Sequence, residues 1–215
     1  MYFDYSVIKK RKLYPFLVPV LRLLSHIIYS TKCVGAENIP DDGKLIIACN
    51  HIAFSDPAFI IAYSTRRVHF MAKSELFENY FVAKLLANMN AFPVRRNTSD
   101  RKSLLYAKKV LDSDWILGIF PEGRRIRGGS SPTEGKTGIA FLSRMCGADV
   151  LPACIYKTNE RRLRPKVTVK FGKVIKNSDL GFDNADRNEE LKAATDKIMR
   201  NIKLLWEEEN ANRSS

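Results

Sequence analysis

Cysteine, acidic side chains and long uninterrupted apolar runs are all in short supply in this sequence. The four cysteines show no paired spacing of the kind that binds a metal; they are Cys33, Cys49, Cys146 and Cys154. Two of them lie inside apolar stretches, so reduced, buried thiols of a cytosolic protein are expected rather than a disulfide framework. No internal repeat is present, and 215 residues are enough for one substantial core.

Basic residues outnumber acidic ones by 36 to 23, which gives a formal net charge of +13. This balance attracts polyanions, which include nucleic acid, anionic lipid headgroups and acidic protein partners. A basic nucleic-acid-binding module is a remote alternative, because the chain lacks a zinc-finger spacing, an aromatic RNA-binding strand and a recognisable basic recognition helix. No nucleic-acid partner is therefore expected.

A strongly apolar segment runs from Leu13 to Ser30, and Arg22 and His26 interrupt it. The segment is short of the ~20 clean apolar residues that cross a bilayer, and no small-residue cleavage site follows it. Because a basic flank precedes it, the segment predicts an amphipathic helix in the membrane interface, with basic residues meeting lipid phosphates. The alternative is an ordinary helix that packs on the core.

Strand-like and helix-like segments alternate through the rest of the chain. Continuous apolar runs predict buried strands at 45–49, 115–120 and 149–155. The alternation predicts a single-domain α/β fold, with a mostly parallel sheet flanked by helices and an N-terminal membrane-interface helix. Residues 1–32 are expected to form the membrane-associating segment, and residues 33–215 the domain.

Asn50 and His51 follow the first predicted strand, and Asp56 and Pro57 come five residues after the histidine. His51 and Asp56 cannot share a helical face, because five steps of about 100° place them roughly 140° apart. They can meet only where the chain turns from strand to helix, and Pro57 suits the first position of that helix. A carboxylate on one imidazole nitrogen leaves the other free to accept a proton. The alternative is that Asp56 is a helix cap and His51 an ordinary surface residue.

Arginines follow two further extended segments, at Arg96 and at Arg125. Ligands of an open α/β sheet bind outside the carboxyl ends of the strands, so these residues are expected to share one crevice with His51. The planar guanidinium fork of arginine suits phosphate oxygens. Gly123 would allow the backbone to approach a ligand closely.

Glu122 lies among these arginines, and two interpretations of it are open. It is expected either to hold an arginine in place or bind a substrate hydroxyl, or else to form a structural ion pair with Arg124 or Arg125. For Arg95 and Arg124 the favoured interpretation is that of solvated surface cations.

Four blocks of the sequence, in this order and at this spacing, resemble the glycerolipid acyltransferase family, and most of all its bacterial 1-acylglycerol-3-phosphate acyltransferases. The blocks are Asn50-His51-x4-Asp56, Phe92-Pro93-Val94-Arg95-Arg96, Phe120-Pro121-Glu122-Gly123-Arg124-Arg125 and Val150-Leu151-Pro152-Ala153-Cys154-Ile155. The resemblance implies that His51 and Asp56 are catalytic and that Pro152 lies at the acyl-donor pocket. It also implies a set of substrate-binding residues, namely Arg96, Glu122, Gly123 and Arg125.

The resemblance further implies an O-acyltransferase of phospholipid biosynthesis that needs no cofactor or metal. It would transfer an acyl chain from acyl carrier protein or coenzyme A to the free hydroxyl of 1-acylglycerol-3-phosphate, giving phosphatidic acid. As a peripheral membrane protein, it would act at the cytoplasmic face of the cell membrane.

Several positions depart from the family pattern, and they leave another lysolipid or a hydroxylated acceptor as the alternative. Arg124 and Ile126 replace a threonine and a serine that are usual in the third block. Asn90 replaces a glycine that often opens the second block, and Arg95 occupies a position that is often acidic or polar.

Overall fold

The protein is described here from a computed structural model, which covers residues 3–8, 11–95, 98, 100–126, 131–158, 163–182 and 187–214. The described residues form one sheet of seven strands in the order β1-β7-β6-β2-β5-β3-β4. The strands are β1 Ser30–Val34, β2 Leu45–Cys49, β3 Val68–Lys73, β4 Ala91–Val94, β5 Ile116–Ile119, β6 Asp149–Lys157 and β7 Lys166–Phe171. The helices are α1 Tyr14–Ile28, α2 Asp56–Tyr63, α3 Tyr80–Asn88, α4 Arg101–Asp112, α5 Gly138–Cys146 and α6 Arg187–Ser214.

The strand directions confirm the predicted mostly parallel α/β sheet. Strands β6, β2, β5, β3 and β4 run parallel, whereas β7 is antiparallel to β6 and carries β1 with it. Strand β2 lies in the middle of the sheet and is buried along its whole length. A strand covered on both faces needs apolar side chains on both, which explains why its sequence is a continuous apolar run.

The helices cover both faces of the sheet. One buried apolar cluster contains residues of α2 and α3, such as Ile60 and Ala83. The other contains residues of α4, α5 and α6, such as Val110, Ile139 and Ile198. This layering leaves the carboxyl ends of the parallel strands open, and the loops after β2 and β5 meet there.

Helix α1 forms within the predicted apolar segment and packs on α2 through only one of its sides. The Nε of Arg22 donates a hydrogen bond to the carbonyl of Ala62 at 2.9 Å, and Ser25 lies 3.2 Å from the hydroxyl of Tyr63. The opposite side remains exposed, with Phe16 72% and Leu23 61% accessible. Within the described ranges, no helix combines the length and apolar character needed to span a bilayer.

Candidate active site

The site begins where β2 ends, at a buried asparagine. The Nδ2 of Asn50 donates to the carbonyl of Ile155 at 3.0 Å, and its Oδ1 accepts the amide of Ile155 at 2.8 Å. These paired bonds fasten the end of β2 to the neighbouring strand β6. The next residue, His51, is therefore held at a fixed point on the carboxyl edge of the sheet.

His51 and Asp56 meet at the turn from β2 to α2, as their spacing predicts. The Nδ1 of His51 lies 2.7 Å from Oδ2 of Asp56, and the same oxygen accepts the amides of Ile52 and Ala53 at 2.7 and 2.8 Å. The carboxylate thus turns back onto its own loop, which rules out the interpretation of Asp56 as a simple helix cap. Because that oxygen accepts, Nδ1 carries the proton and Nε2 is the basic nitrogen.

The imidazole of His51 is held on its ring face as well as at Nδ1. It stacks on Phe120 with 4.1 Å between the ring centroids, and Phe120 in turn stacks on Phe70 at 5.5 Å. The side chain of His51 keeps 15% of its surface exposed, while that of Asp56 is fully buried. The ring therefore has a fixed orientation with access to the cavity beside it.

Glu122 is buried, and both of its carboxylate oxygens accept backbone amides. Oε2 accepts the amide of His51 at 2.8 Å, and Oε1 accepts the amide of Thr133 at 3.0 Å. The carbonyl of His51 also accepts the amide of Ile126 at 2.7 Å. The suggested ion pair of Glu122 with Arg124 is therefore wrong, as is that with Arg125. Glu122 fastens the loop after β5 to His51, and direct contact with a substrate stays a prediction.

An apolar cavity of about 330 Å³ opens beside His51. Its lining is mostly aliphatic and aromatic and comes from β3, β4, α3 and the loops after β2 and β5; it includes Phe54, Phe70, Met71, Leu76, Leu85, Leu86, Met89, Ala91, Val94 and Phe120. Cavities of this kind, with a few converging polar groups, are the usual binding sites for small molecules and fatty chains.

Three cations also line this cavity: Lys73, Arg124 and Arg125. Lys73 forms an ion pair with Glu75 at 2.8 Å, whereas in the described part of the chain neither arginine forms one. Gly123 lines the cavity beside them with a φ of +67°, a conformation that glycine adopts at little cost.

Sequence reasoning missed Lys73. Lys73 is the last residue of β3, and its position at the same strand edge as His51 was the signal that could have identified it. Arg124 was expected to be a solvated surface cation; it is exposed, and it also lines the cavity beside His51. Arg95 is exposed and outside the lining, and the predicted residue Arg96 lies outside the described residues.

The predicted acyl-donor residue Pro152 lies in the sheet and not in the wall of the cavity. It lies within β6, paired in register with Ala48, and its carbonyl accepts the amide of Gly172 at 2.8 Å. It is buried and does not belong to the lining of the cavity beside His51. Its assignment to an acyl-donor pocket stays a prediction.

The cysteine next to the site does not provide a second reactive group. Burial raises the pKa of the Cys49 thiol well above its usual range, so the thiolate is disfavoured. Over the residues described, no cluster of three or more His, Cys, Asp or Glu side chains is placed to hold a metal ion. The chemistry that the described groups offer is proton transfer by His51.

The fold and the site define an α/β protein with a carboxylate-oriented histidine beside an apolar cavity. Residues 30–156 match the family model described as Acyltransferase, which covers more than half of the chain, so the protein belongs to the acyltransferase family. The resemblance inferred from the four sequence blocks is confirmed, as is the prediction of an O-acyltransferase.

Relatives and a solved structure agree with this assignment. The chain is 28% identical over 197 residues to a 1-acyl-sn-glycerol-3-phosphate acyltransferase of Bacillus subtilis. The aligned residues cover 90% of this chain and 96% of that protein. It is 35% identical over 127 residues to the enzyme of the same name from Borreliella burgdorferi, which covers 58% of this chain and 50% of that protein. The crystal structure of the 1-acyl-sn-glycerophosphate acyltransferase PlsC from Thermotoga maritima shares the fold, with a TM-score of 0.67, 21% identity and coverage of 94% of this chain and 84% of that one.

Proposed function

We propose that this protein transfers an acyl chain from an acyl thioester to the free hydroxyl of 1-acylglycerol-3-phosphate, giving phosphatidic acid for phospholipid biosynthesis. The observation that carries this proposal is the His51–Asp56 pair at the wall of an apolar cavity that three cations also line. The names of the relatives support the choice of acceptor.

In the proposed reaction, Nε2 of His51 takes the proton of the acceptor hydroxyl as its oxygen attacks the thioester carbonyl. The carbon–sulfur bond then breaks, and the leaving thiolate takes the proton back from the imidazolium. No protein nucleophile is needed, because the acceptor oxygen itself forms the new ester bond. Base catalysis of this kind contributes typically about 10²–10⁴-fold, and positioning of the two substrates supplies much of the remainder.

The acceptor phosphate would be held by the cations of the cavity. Arg125 and Arg124 present guanidinium groups that are not engaged in ion pairs within the described structure, and Lys73 adds an ammonium group. Two guanidinium forks and a lysine suit a phosphate monoester, which carries up to two negative charges. Arg96 is proposed to join this set on the grounds of its sequence block.

The membrane surface is proposed as the second partner of the protein, with the enzyme bound at the cytoplasmic face. The free side of α1 exposes Phe16, Leu23 and Ile27, and Phe81 of α3, near the cavity, is 80% exposed. An amphipathic helix with basic surroundings binds anionic bilayers by burying such side chains. Cosedimentation with anionic vesicles, compared between the wild type and Leu23→Glu, tests this assignment, and equal binding of the two proteins would contradict it.

The acyl donor is proposed to be acyl carrier protein or acyl-coenzyme A, both of which carry negative charge that the +13 chain attracts. Another lysolipid acceptor remains the second candidate, because Arg124 adds a cation to the lining of the cavity. A more anionic headgroup would use that extra charge.

Transfer of a radiolabelled acyl chain to lysophosphatidic acid in liposomes tests the proposal with the wild type and His51→Ala. We expect phosphatidic acid from the wild type and near-background turnover from the variant. His26→Ala is the matched control, since His26 lies on α1 away from the cavity and should leave the catalytic step intact. Equal activity of His51→Ala and the wild type would contradict the mechanism, and activity with other lysolipids alone would replace the proposed acceptor.

A further inference from the structure

Helix α4 carries an exposed patch of cations around a single leucine. Arg101, Lys102 and Lys109 are exposed, and within the described ranges neither Arg101 nor Lys102 forms an ion pair. Leu105, which is 48% exposed, lies between the first two cations and the third, because side chains three or four residues apart are neighbours on a helix surface. We call these four residues the α4 patch.

The positive charge of the α4 patch is not neutralised by α4 itself. The helix contains one carboxylate, that of its last residue Asp112, which already forms ion pairs with Lys44 at 2.6 Å and Lys108 at 2.5 Å. The Nζ of Lys109 donates to the carbonyl of Ser6 at 2.9 Å, a bond that leaves its charge in place. Uncompensated cations steer the association of an acidic protein, and a central apolar side chain adds contact area once that protein has bound.

The α4 patch begins at the edge of the sheet where the cavity beside His51 opens. Val94, the last residue of β4, lines that cavity. The amide of the next residue, Arg95, donates to Oδ2 of Asp100 at 2.9 Å, and Asp100 directly precedes α4. The first turn of α4, with Arg101, is therefore held at the carboxyl end of β4.

The α4 patch and the apolar side of α1 belong to opposite layers of the fold. Tyr14 of α1 packs in the buried cluster on one face of the sheet, whereas Tyr106 and Val110 of α4 pack in the cluster on the other face. A bilayer that buried Phe16 and Leu23 of α1 would therefore leave the α4 patch open to the aqueous phase. A soluble partner can reach it there.

We propose that the α4 patch is the docking surface for acyl carrier protein, which is small, acidic and soluble. This inference rests on the proposed acyl transfer and narrows its donor. The carrier holds its acyl chain as a thioester at the end of a long flexible arm, so a carrier docked on α4 can place the thioester beside His51 while its protein body stays outside the cavity. Acyl-coenzyme A has a comparable arm but no protein surface, so it would not contact Leu105.

Three variants separate a docking surface from a general effect of charge. Arg101→Glu/Lys102→Glu reverses both cations in the first turn of α4, where acidic side chains interact favourably with the helix dipole, so the fold is expected to stay intact. Leu105→Asn removes the apolar centre of the α4 patch without changing any charge. Lys192→Glu/Arg200→Glu is the matched control, because it reverses one lysine and one arginine at exposed positions of α6 outside the cavity lining.

The experiment compares kcat/KM for palmitoyl-acyl carrier protein and for palmitoyl-coenzyme A, with saturating lysophosphatidic acid as the acceptor. With the carrier protein, we expect Arg101→Glu/Lys102→Glu to lose about tenfold or more, since charge complementarity raises association rates by about 10- to 10³-fold. We expect Leu105→Asn to lose about threefold or more with the same donor, because the apolar contact is lost. With palmitoyl-coenzyme A, both α4 variants should stay within about twofold of the wild type, as should the α6 control with either donor.

The outcomes separate this inference from the proposed function. If the wild type used palmitoyl-coenzyme A but not the carrier protein, or if the α4 variants lost the same factor with both donors, the inference would be overturned and the proposed function would stand. An equal loss in the α6 control would also overturn it, because net charge alone would then account for the effect. Weaker binding of the α4 variants to anionic vesicles, with unchanged use of the carrier protein, would assign the α4 patch to the bilayer instead. If the wild type used neither donor, the proposed function would fall and the inference with it.

Discussion

Two histidines of this protein stack on aromatic rings at opposite ends of the central strands, yet only one of them has a carboxylate beside it. His51 lies beyond the end of β2, with its ring 4.1 Å from that of Phe120 and its Nδ1 hydrogen-bonded to Asp56. His69 is the second residue of β3, 4.8 Å from the ring of Trp115, and neither of its nitrogens has a protein partner among the described residues. The same side chain is thus placed in two opposite environments.

The difference teaches which environment makes a histidine a useful base. Asp56 fixes the tautomer of His51 and stabilises the imidazolium that forms when Nε2 takes a proton. His69 lacks any such partner, and burial beside Arg67 strongly disfavours its protonated form. His51 is therefore suited to the base role of the proposed mechanism, whereas His69 is a neutral group that can only donate and accept hydrogen bonds.

The largest effect is expected when the carboxylate of Asp56, which distinguishes the surroundings of His51 from those of His69, is removed. In Asp56→Asn, the amide oxygen still accepts the amides of Ile52 and Ala53, so the loop keeps its shape. The same oxygen also accepts the Nδ1 proton of His51, as Oδ2 does in the wild type, but the neutral amide no longer stabilises the imidazolium that forms when Nε2 takes a proton. We expect kcat to fall by about 10²–10⁴-fold, the usual contribution of a general base.

Steady-state kinetics and thermal melting together check this expectation. Asp41→Asn, at an exposed carboxylate away from the cavity, is the control and should keep the wild-type kcat. A wild-type kcat in Asp56→Asn would show that the negative charge of Asp56 contributes nothing to the catalytic step. Loss of folding rather than of turnover would show that its carboxylate acts mainly on the loop.

The second expected effect is a dependence of protein stability on pH that His69 causes and that its low pKa predicts. Its folded pKa is about 3 against an ordinary value of 6.5, so between these pH values the unfolded chain binds more protons. Above pH 6.5 the residue does not lower the free energy of unfolding. As the pH falls from 6.5 towards 3, the free energy of unfolding decreases by about 1.4 kcal/mol per pH unit. Arg67 is the charged group that lowers this pKa further, and Asp4 and Arg11 line a small cavity together with His69.

Urea unfolding at pH 7 and at pH 5 measures this effect. We expect wild-type protein to lose about 2 kcal/mol more than His69→Phe between the two pH values, because only the wild type carries the buried imidazole. His26→Phe is the control at an exposed histidine and should show the wild-type pH dependence. Identical pH profiles for wild type and His69→Phe would show that His69 is protonated in the folded protein without cost.

The contrast between the two histidines also shows how far the sequence could predict the site. His51 and Asp56 are five residues apart, and one turn from strand to helix brings them together, so local sequence was enough. The buried strands were predictable for a similar reason, since β2 and β6 are continuous apolar runs covered by helices on both faces.

The other features depend on the order of the strands, which local sequence does not contain. Lys73 joins His51 because β3 and β2 both neighbour β5 in the sheet, and nothing around Lys73 in the sequence indicates that. Arg124 lines the cavity on a loop that Glu122 fastens to His51, since the carboxylate of Glu122 accepts the amides of His51 and Thr133. His69 has no hydrogen-bond partner for its ring among the described residues, and nothing around it in the sequence indicates that.

The smallest expected effect tests the cations of the cavity lining with a matched pair of arginines. Arg124 and Arg95 are both exposed, and the sequence suggested the same solvated role for both, but only Arg124 lines the cavity. We expect Arg124→Thr to raise KM for lysophosphatidic acid by about 3- to 10-fold with little change in kcat. An exposed cation loses much of its strength to solvent, and Arg125 and Lys73 remain in the lining to bind the phosphate.

Arg95→Thr removes the same charge outside the lining, so any effect that it shares with Arg124→Thr reports only the general attraction of a basic protein for an anionic lipid. Measuring KM for lysophosphatidic acid and for zwitterionic lysophosphatidylcholine separates the two cases. A rise confined to Arg124→Thr and to the phosphate monoester places Arg124 on the acceptor headgroup. An equal rise in both variants would mean that Arg124 is the solvated surface cation that the sequence suggested, and that its position in the cavity lining has no role in recognition.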